Sequence, residues 1–172
     1  EKKLIVSLTS FPGRINIVPI VIETIFKQSL KPDKIILWLA KDEFENKNNL
    51  PKQLLEQQRR GLEIRFCENL KPHKKYYYTF KEYPDDIIIT VDDDVFYPHF
   101  LLKKLFNLYK KYPDCITCTR GHFITFDEEG NIKPYRDWIS LKENRPSKPS
   151  SLILPTGVGG VLYPPGSVNK EV

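Results

Sequence analysis

The chain has 172 residues, of which 40% are hydrophobic and 28% are charged, and its formal net charge is +5. These values are ordinary for one soluble globular domain, and no apolar run is long enough to span a bilayer. Lys and Arg are spread along the chain rather than gathered in a basic arm. The charge pattern is therefore a weak indication of nucleic-acid binding, and no such partner is expected.

Strands and helices alternate through the first two thirds of the chain. Predicted strands cover residues 3–9, 35–39 and 62–66 and an apolar run that starts at Ile87. Apolar residues recur at helical spacing between these strands, in segments that begin near Val18, Pro51, Tyr76 and Pro98. This alternation predicts a mostly parallel central sheet flanked by helices, which is an α/β fold.

The final third has a different pattern. Short strands are predicted at 115–119 and 123–126, and the turn residues 127–131 predict a hairpin. Residues 136–151 are polar and are predicted to form a surface loop, and an apolar segment with the run Gly157-Val158-Gly159-Gly160 follows. These glycines permit close approach of a ligand to the backbone, or form a bulge in a strand. We expect this part of the chain to be antiparallel or irregular.

The three cysteines are predicted to be free thiols. Cys115 and Cys118 have the spacing of a redox or half-zinc motif, but they lie in an apolar run without a second pair. Buried free thiols are therefore the preferred interpretation for them and for Cys67, and they suit a reducing compartment.

Three carboxylates follow the fourth strand directly. Asp92, Asp93 and Asp94 come after the apolar run 87–91, which is typical of a strand buried on both faces. Alternation along an extended chain would place Asp92 and Asp94 on one side and Asp93 on the other. Neighbouring carboxylates repel each other unless a positive charge lies between them, and oxygen ligands suit Mg²⁺, Mn²⁺ or Ca²⁺. The cluster predicts a metal site at the carboxyl edge of the sheet, with a solvated turn as the alternative.

Two other segments offer groups that suit phosphate. Thr9, Ser10 and Arg14 follow the first strand, and Arg can bind a phosphate through two parallel hydrogen bonds. The run His73-Lys74-Lys75 begins a helix, where backbone N–H groups also favour anions. Solvated side chains are the alternative in both segments. The tyrosines 76–78 are expected to form core and groove wall rather than a surface for base stacking.

The order of these segments resembles the nucleotide-sugar-dependent glycosyltransferases of the GT-A fold, in particular the family two-like bacterial enzymes. The resemblance covers essentially the whole chain and rests on Leu8-Thr9-Ser10-Phe11-Pro12-Gly13-Arg14, Gln28-Ser29-Leu30-Lys31-Pro32-Asp33-Lys34-Ile35 and Ile89-Thr90-Val91-Asp92-Asp93-Asp94-Val95. It implies a Rossmann-like GT-A domain over 1–172. Residues 1–94 would form its nucleotide-sugar-binding half and residues 95–172 its acceptor-side half.

The resemblance also implies the activity and its residues. A sugar would pass from a nucleotide-diphosphate donor, with UDP as the expected nucleotide, to a saccharide or glycolipid acceptor. The family's Asp-x-Asp motif falls on Asp92 and Asp94, which would bind Mn²⁺ or Mg²⁺. The donor contacts would be Thr9, Ser10, Arg14, His73, Lys74, Asp92 and Asp93, and Gly159 and Gly160 would line the acceptor side. The usual setting is bacterial polysaccharide biosynthesis, in the cytoplasm and at the inner face of the membrane.

One residue of the family pattern has no clear counterpart. Inverting members place a catalytic Asp or Glu at the start of a later helix, and after Gly166 this chain offers only Glu171. We therefore expect the general base to lie outside this chain, and the domain to be truncated at its C-terminus. Two alternatives stay open. One is a nucleotidyltransferase on a similar sheet, which would need a glycine-rich, Arg- and Lys-bearing loop after the first strand. The other is a non-catalytic carbohydrate- or nucleic-acid-binding domain.

Overall fold

The apolar runs of the first half form four parallel strands. In the computed structural model, which describes residues 2–44, 50–144 and 146–168, they are β1 (Leu4–Thr9), β2 (Lys34–Ala40), β3 (Leu62–Cys67) and β4 (Ile87–Thr90). β1 pairs in parallel with β2 and β4, and β2 pairs in parallel with β3. The predicted α/β fold with a mostly parallel sheet is confirmed.

Helices cover both faces of this sheet because the strand residues are apolar at successive positions. The helices are α1 (Val18–Phe26), α2 (Lys52–Gln58), α3 (Lys74–Glu82) and α4 (Leu101–Lys111). Alternate residues of β1, such as Leu4, Val6 and Leu8, pack in one core with α1, α2 and α4. Ile5 points to the opposite face, where the aromatic side chains of α3 pack against Trp38. The tyrosines of α3 therefore serve packing, as predicted.

The last strand returns to the middle of the sheet. β9 (Val161–Tyr163) lies antiparallel between β4 and β5 (Thr117–Cys118), which gives the strand order β3-β2-β1-β4-β9-β5. Val161, the first residue of β9, pairs with Thr90, the last residue of β4. Because the two strands run in opposite directions, the glycine-rich segment before Val161 lies at the carboxyl end of β4. This connection brings the C-terminal third to the acidic cluster.

The C-terminal third forms a second, antiparallel sheet from β6 (Gly121–Phe123), β7 (Ile139–Ser140) and β8 (Ile153–Pro155). β6 is the middle strand and pairs with β7 on one side and β8 on the other. Phe126, predicted to end a strand, forms only an isolated bridge to Ile132, which supports the predicted hairpin at 127–131. The predicted loop at 136–151 is wrong in part, because it contains β7. Such a short strand is fixed by hydrogen bonds to β6, and a pattern of side chains does not reveal them.

The described helices and the three cysteines agree with the predictions of no membrane span and of free thiols. No helix of the described ranges is long and apolar enough to cross a membrane. Cys67, Cys115 and Cys118 are all free thiols, as predicted. Cys67 is buried on β3, and burial raises the pKa of its thiol to about 11, whereas the other two are half-buried.

Candidate functional site

The acidic cluster begins where β4 ends, and Tyr97 holds its first residue. The backbone N–H of Val91 donates to the carbonyl of Ser7, which is the last ladder contact with β1. The N–H of Asp92 instead donates to Oη of Tyr97, at 2.8 Å. Burial raises the pKa of the Tyr97 phenol, so the hydroxyl stays neutral at physiological pH while its oxygen accepts this bond. Tyr97 therefore fixes the point at which the chain leaves the sheet.

Asp93 is the buried member of the cluster, and the loop after β1 holds it in place. Oγ of Ser10 donates to Oδ2 of Asp93 at 2.6 Å, and Nη1 of Arg14 donates to Oδ1 at 3.2 Å. The same guanidinium nitrogen lies 2.7 Å from Oδ2 of Asp94. The hydrogen bond to Asp93 and the charge of Asp94 raise the pKa of Arg14. Ser10 and Arg14, two of the residues predicted to contact the nucleotide-sugar donor, thus bind the carboxylates directly.

Asp92 has a different cationic partner. Lys75, in the first turn of α3, is buried and places its ammonium group on Oδ1 of Asp92. The same nitrogen lies 3.3 Å from the carbonyl of Val91. Of the neighbouring lysines 74 and 75, only Lys74 is predicted from the sequence to contact the nucleotide-sugar donor. The contact of Lys75 with the acidic cluster is found only in the structure. A lysine at the start of a helix opposes the helix dipole, and this unfavourable placement was the signal available in the sequence.

The alternation expected along an extended chain does not describe this cluster. β4 stops at Thr90, and Asp93 and Asp94 lie in a turn. Their carboxylates consequently share Arg14, whereas Asp92 alone contacts Lys75. The positive charges that the cluster needs are supplied in part by these two side chains.

The glycine-rich segment contacts the cluster through Gly157 rather than through the glycines that were predicted. A Cβ atom at Gly157 would lie 3.3 Å from both carboxylate oxygens of Asp92. Gly159 instead packs against Thr119, whose Oγ1 donates to the Gly159 carbonyl at 2.5 Å. Gly160 has a φ of +79° and lies over Leu101 of α4. Gly159 and Gly160 shape the turn that presents Gly157 to Asp92, and their place on an acceptor side stays a prediction.

The remaining residues predicted to contact the nucleotide-sugar donor, Thr9, His73 and Lys74, interact with protein groups other than the carboxylates. Oγ1 of Thr9 donates to the carbonyl of Trp38 at 2.8 Å. The ammonium group of Lys74 is buried at the ends of β2 and β3, 3.4 Å from Oδ1 of Asn69 and 4.0 Å from Oε2 of Glu43. His73 is exposed beside Tyr76. A contact of these three residues with a donor stays a prediction, and Glu171 lies outside the described residues.

The predicted Mn²⁺ or Mg²⁺ site at Asp92 and Asp94 stays a prediction, and it would need ligands from outside the protein. Within the described ranges, no group of three or more His, Cys, Asp or Glu side chains is arranged to hold a metal ion. Two carboxylates are sufficient when substrate phosphates and water complete the coordination, as is usual for Mg²⁺. In the same ranges, Oδ2 of Asp92 and Oδ1 of Asp94 accept no protein hydrogen bond. The side chains of Asp92 and Asp94 are 25% and 42% exposed, whereas that of Asp93 is 9% exposed, so Asp92 and Asp94 are the more accessible carboxylates of the cluster.

Comparisons with known proteins identify the fold. No protein-family model matches the chain, and no curated protein sequence matches it. By contrast, 79 chains of solved structures match. One is the crystal structure of 4-diphosphocytidyl-2C-methyl-D-erythritol synthase, with a TM-score of 0.58 and 9% sequence identity over 96% of this chain and 76% of that chain. At this identity the likeness shows a shared Rossmann-like α/β fold and no more.

Proposed function

We propose that the protein is a metal-dependent transferase that acts on a nucleotide with a diphosphate group. Specifically, we propose a glycosyltransferase that moves a sugar from a nucleotide-sugar donor, with UDP as the expected nucleotide, to a hydroxyl of a saccharide or glycolipid. The observation that carries the proposal is the pair of accessible carboxylates of Asp92 and Asp94 at the carboxyl end of the central strand β4, each with one oxygen that accepts no hydrogen bond from the described residues. Ligands of open α/β sheets bind at this edge.

The charges around this pair suit a diphosphate. Bound Mn²⁺ or Mg²⁺ would act as a Lewis acid towards the leaving diphosphate. Arg14 has one nitrogen on the carboxylates, and about half of its side chain is exposed, so other N–H groups can donate to phosphate oxygens. Lys75 neutralises part of the charge of Asp92, which limits repulsion between the carboxylates and an incoming anion. The loop after β1 would thus bind the phosphate group, and the start of α3 would balance the charge of the carboxylates.

A second candidate function is nucleotidyl transfer, and the structural comparison favours it. The synthase of similar fold makes a diphosphocytidyl compound and is a nucleotidyltransferase, whereas no family match points to a glycosyltransferase. The loop after β1 argues the other way. Residues 10–14 contain one glycine and one basic residue, and the guanidinium group of that residue, Arg14, is already bound to Asp93. A glycine-rich loop that surrounds a triphosphate would need more backbone N–H groups and more cations than this loop provides.

The products of the two reactions distinguish the candidates. The protein is incubated with Mn²⁺ and either UDP-glucose, from which water takes the glucosyl group, or CTP with a sugar phosphate as acceptor, and the released anions are separated by chromatography. We expect slow release of UDP by hydrolysis in the first mixture, which does not require the general base for an acceptor hydroxyl, and no pyrophosphate from the second. An Asp94→Asn variant, in which the carboxylate is replaced by an amide of the same shape, is the control and should release neither. Release of pyrophosphate from CTP with UDP-glucose left intact would overturn the glycosyltransferase assignment in favour of nucleotidyl transfer.

A further inference from the structure

Three aromatic rings form a cluster on the second sheet, outside the carboxylate site. His122 belongs to β6, Tyr135 begins a short 3-10 turn, and Trp138 follows that turn. The ring centroids of His122 and Tyr135 are 5.0 Å apart, and those of Tyr135 and Trp138 are 5.2 Å apart, both in T-shaped contacts. Tyr135 is 54% exposed and the other two side chains are half-buried, so the cluster presents aromatic surface to solvent mainly through Tyr135.

Each ring of the cluster has a hydrogen bond that restrains its position. Oη of Tyr135 lies 3.2 Å from Nδ1 of His122. The indole N–H of Trp138 donates to the carbonyl of Lys133 at 2.8 Å, and its backbone N–H donates to the carbonyl of Tyr135 at 3.2 Å. An aromatic ring that is immobile before binding loses little conformational entropy when a ligand packs on it. The cluster therefore has the properties of a prepared binding surface.

The cluster is connected to the carboxylates by the strands of its own sheet. His122 pairs with Leu154 of β8, and the N–H of Thr156 donates to the carbonyl of Arg120 at 3.0 Å. The chain is extended from Leu154 through Thr156, and the next residue is Gly157, which packs against Asp92. Three residues of extended chain span roughly 10 Å, so His122 lies about that far along the surface from the glycine at the carboxylate site.

We propose that His122, Tyr135 and Trp138 bind a pyranose ring of the acceptor saccharide. This inference rests on the proposed glycosyltransferase function and names the place where its acceptor binds. The C–H groups on one face of a pyranose carry a weak positive charge and pack against the negative face of an aromatic ring. Within the described residues Nε2 of His122 has no hydrogen bond, and the exposed Arg136 and Asp137 lie in the chain between Tyr135 and Trp138, so polar groups for sugar hydroxyls accompany the rings.

The charges near the cluster favour a neutral sugar over a nucleic acid. The hairpin that leads to the rings turns at Asp127, Glu128 and Glu129, all of which are exposed. Carboxylates at this position repel a phosphate backbone, whereas a neutral pyranose has no net charge to repel. An aromatic surface for stacked bases would instead be expected beside a basic groove.

The test measures binding of simple glycosides by saturation-transfer NMR. The probes are methyl β-D-glucopyranoside, methyl β-D-galactopyranoside and methyl α-D-mannopyranoside, with adenosine as the probe for base stacking. We expect at least one glycoside to receive saturation, and its affinity to fall about tenfold in Tyr135→Ala and in Trp138→Ala, the loss of one aromatic stacking contact. Tyr135→Phe, which keeps the ring, should retain binding. Ile132→Ala, in an exposed residue of the same hairpin, is the matched control.

Titration of UDP with Mn²⁺ on the same samples separates this inference from the proposed function. UDP binding in the ring variants also shows that they are folded. If UDP binds but no glycoside does, or if the glycosides bind equally to the ring variants, the acceptor assignment is wrong by itself. Binding of adenosine to the rings without any glycoside would overturn it as well. If glycosides bind to the rings but UDP does not bind, the cluster is a saccharide site and the proposed transfer reaction is wrong.

Discussion

The ammonium group of Lys75 is hydrogen-bonded to Oδ1 of Asp92, the first carboxylate after β4. The side chain of Lys75 is only 6% exposed, whereas that of Asp92 is 25% exposed. Burying an ammonium ion is unfavourable unless an opposite charge accompanies it, and the carboxylate of Asp92 supplies that charge. Lys75 thereby acts as an internal counter-charge at the position where the proposed metal ion would contact Asp92.

Replacement of Lys75 by Met should make the stability of the protein depend on metal. The variant leaves the carboxylate of Asp92 without its partner, and we expect the free energy of unfolding to fall by about 1–3 kcal/mol. Mn²⁺ can then neutralise Asp92 in place of the ammonium group. Thermal unfolding with and without Mn²⁺ should therefore show a larger increase in Tm for Lys75→Met than for the unmodified protein.

Lys74 provides a matched control for this experiment. It is the neighbouring lysine, its side chain is as deeply buried, and its contacts are with Asn69 and Glu43 rather than with the carboxylates. Lys74→Met should lower stability without any additional response to Mn²⁺. An equal metal response in the two variants would mean that Lys75 has no particular relation to the metal site.

Substitution of Gly157 by Ala should weaken donor binding while the fold is retained. The added Cβ would lie 3.3 Å from both oxygens of Asp92, so the carboxylate must move by a few tenths of an ångström. Because metal coordination has strict geometry, we expect the affinity for UDP with Mn²⁺ to fall about tenfold, or roughly 1.4 kcal/mol. Isothermal titration calorimetry measures the change. Val158→Ala, at the exposed next residue, should bind as the unmodified protein does, and unchanged affinity in Gly157→Ala would contradict the close approach.

A prediction on pH dependence concerns Glu23, which joins α1 to the end of α2. Glu23 accepts hydrogen bonds from Arg60 and from Nε2 of Gln57 at 2.8 Å, and the bond from Arg60 is the main cause of its lowered pKa. A lowered pKa in the folded state stabilises the protein above the unfolded pKa of about 4.5, and this stabilisation is lost as the pH falls through the folded value.

The variant Glu23→Gln tests this sign. It should be less stable than the unmodified protein at pH 7 by about 0.5–1 kcal/mol, since the pair is partly exposed. The difference should decrease as the pH falls below 4.5, where the unmodified protein loses the charge of Glu23. Urea unfolding at several pH values gives the two free energies. A difference that is constant with pH would show that the charge of Glu23 does not contribute.

The parallel half of the fold could be predicted because each of its strands carries its own signal. The runs at Ile35 and Ile87 are apolar on both faces, and the helices between them have regular apolar spacing. The C-terminal third gave no such signal. β5 and β7 have two residues each, and β9 has three, so their identity as strands depends on pairing with distant segments. Sequence spacing therefore predicted antiparallel structure there but not the insertion of β9 beside β4.

The site could be predicted by residue type better than by geometry. The sequence pointed to Asp92, Asp94, Ser10 and Arg14 because charged and hydroxyl groups at the ends of buried strands have no packing role. It grouped the aspartates incorrectly, since the turn after Thr90 replaces the alternation of a strand. Lys75 and Gly157 were not assigned contacts, because their contacts with Asp92 depend on how α3 and the segment before β9 pack at the carboxyl end of β4.

The measurement that tests the central claim most directly is calorimetric titration of UDP, with and without Mn²⁺, on the protein and on Asp94→Ala. The account predicts binding that requires Mn²⁺ and is lost in Asp94→Ala, because the variant removes one of the two carboxylates that are proposed to hold the metal ion. Asp114→Ala, in an exposed carboxylate beyond the end of α4, is the control and should bind normally. UDP binding that is the same without Mn²⁺ or in Asp94→Ala, or no binding under either condition, would contradict the proposed donor site.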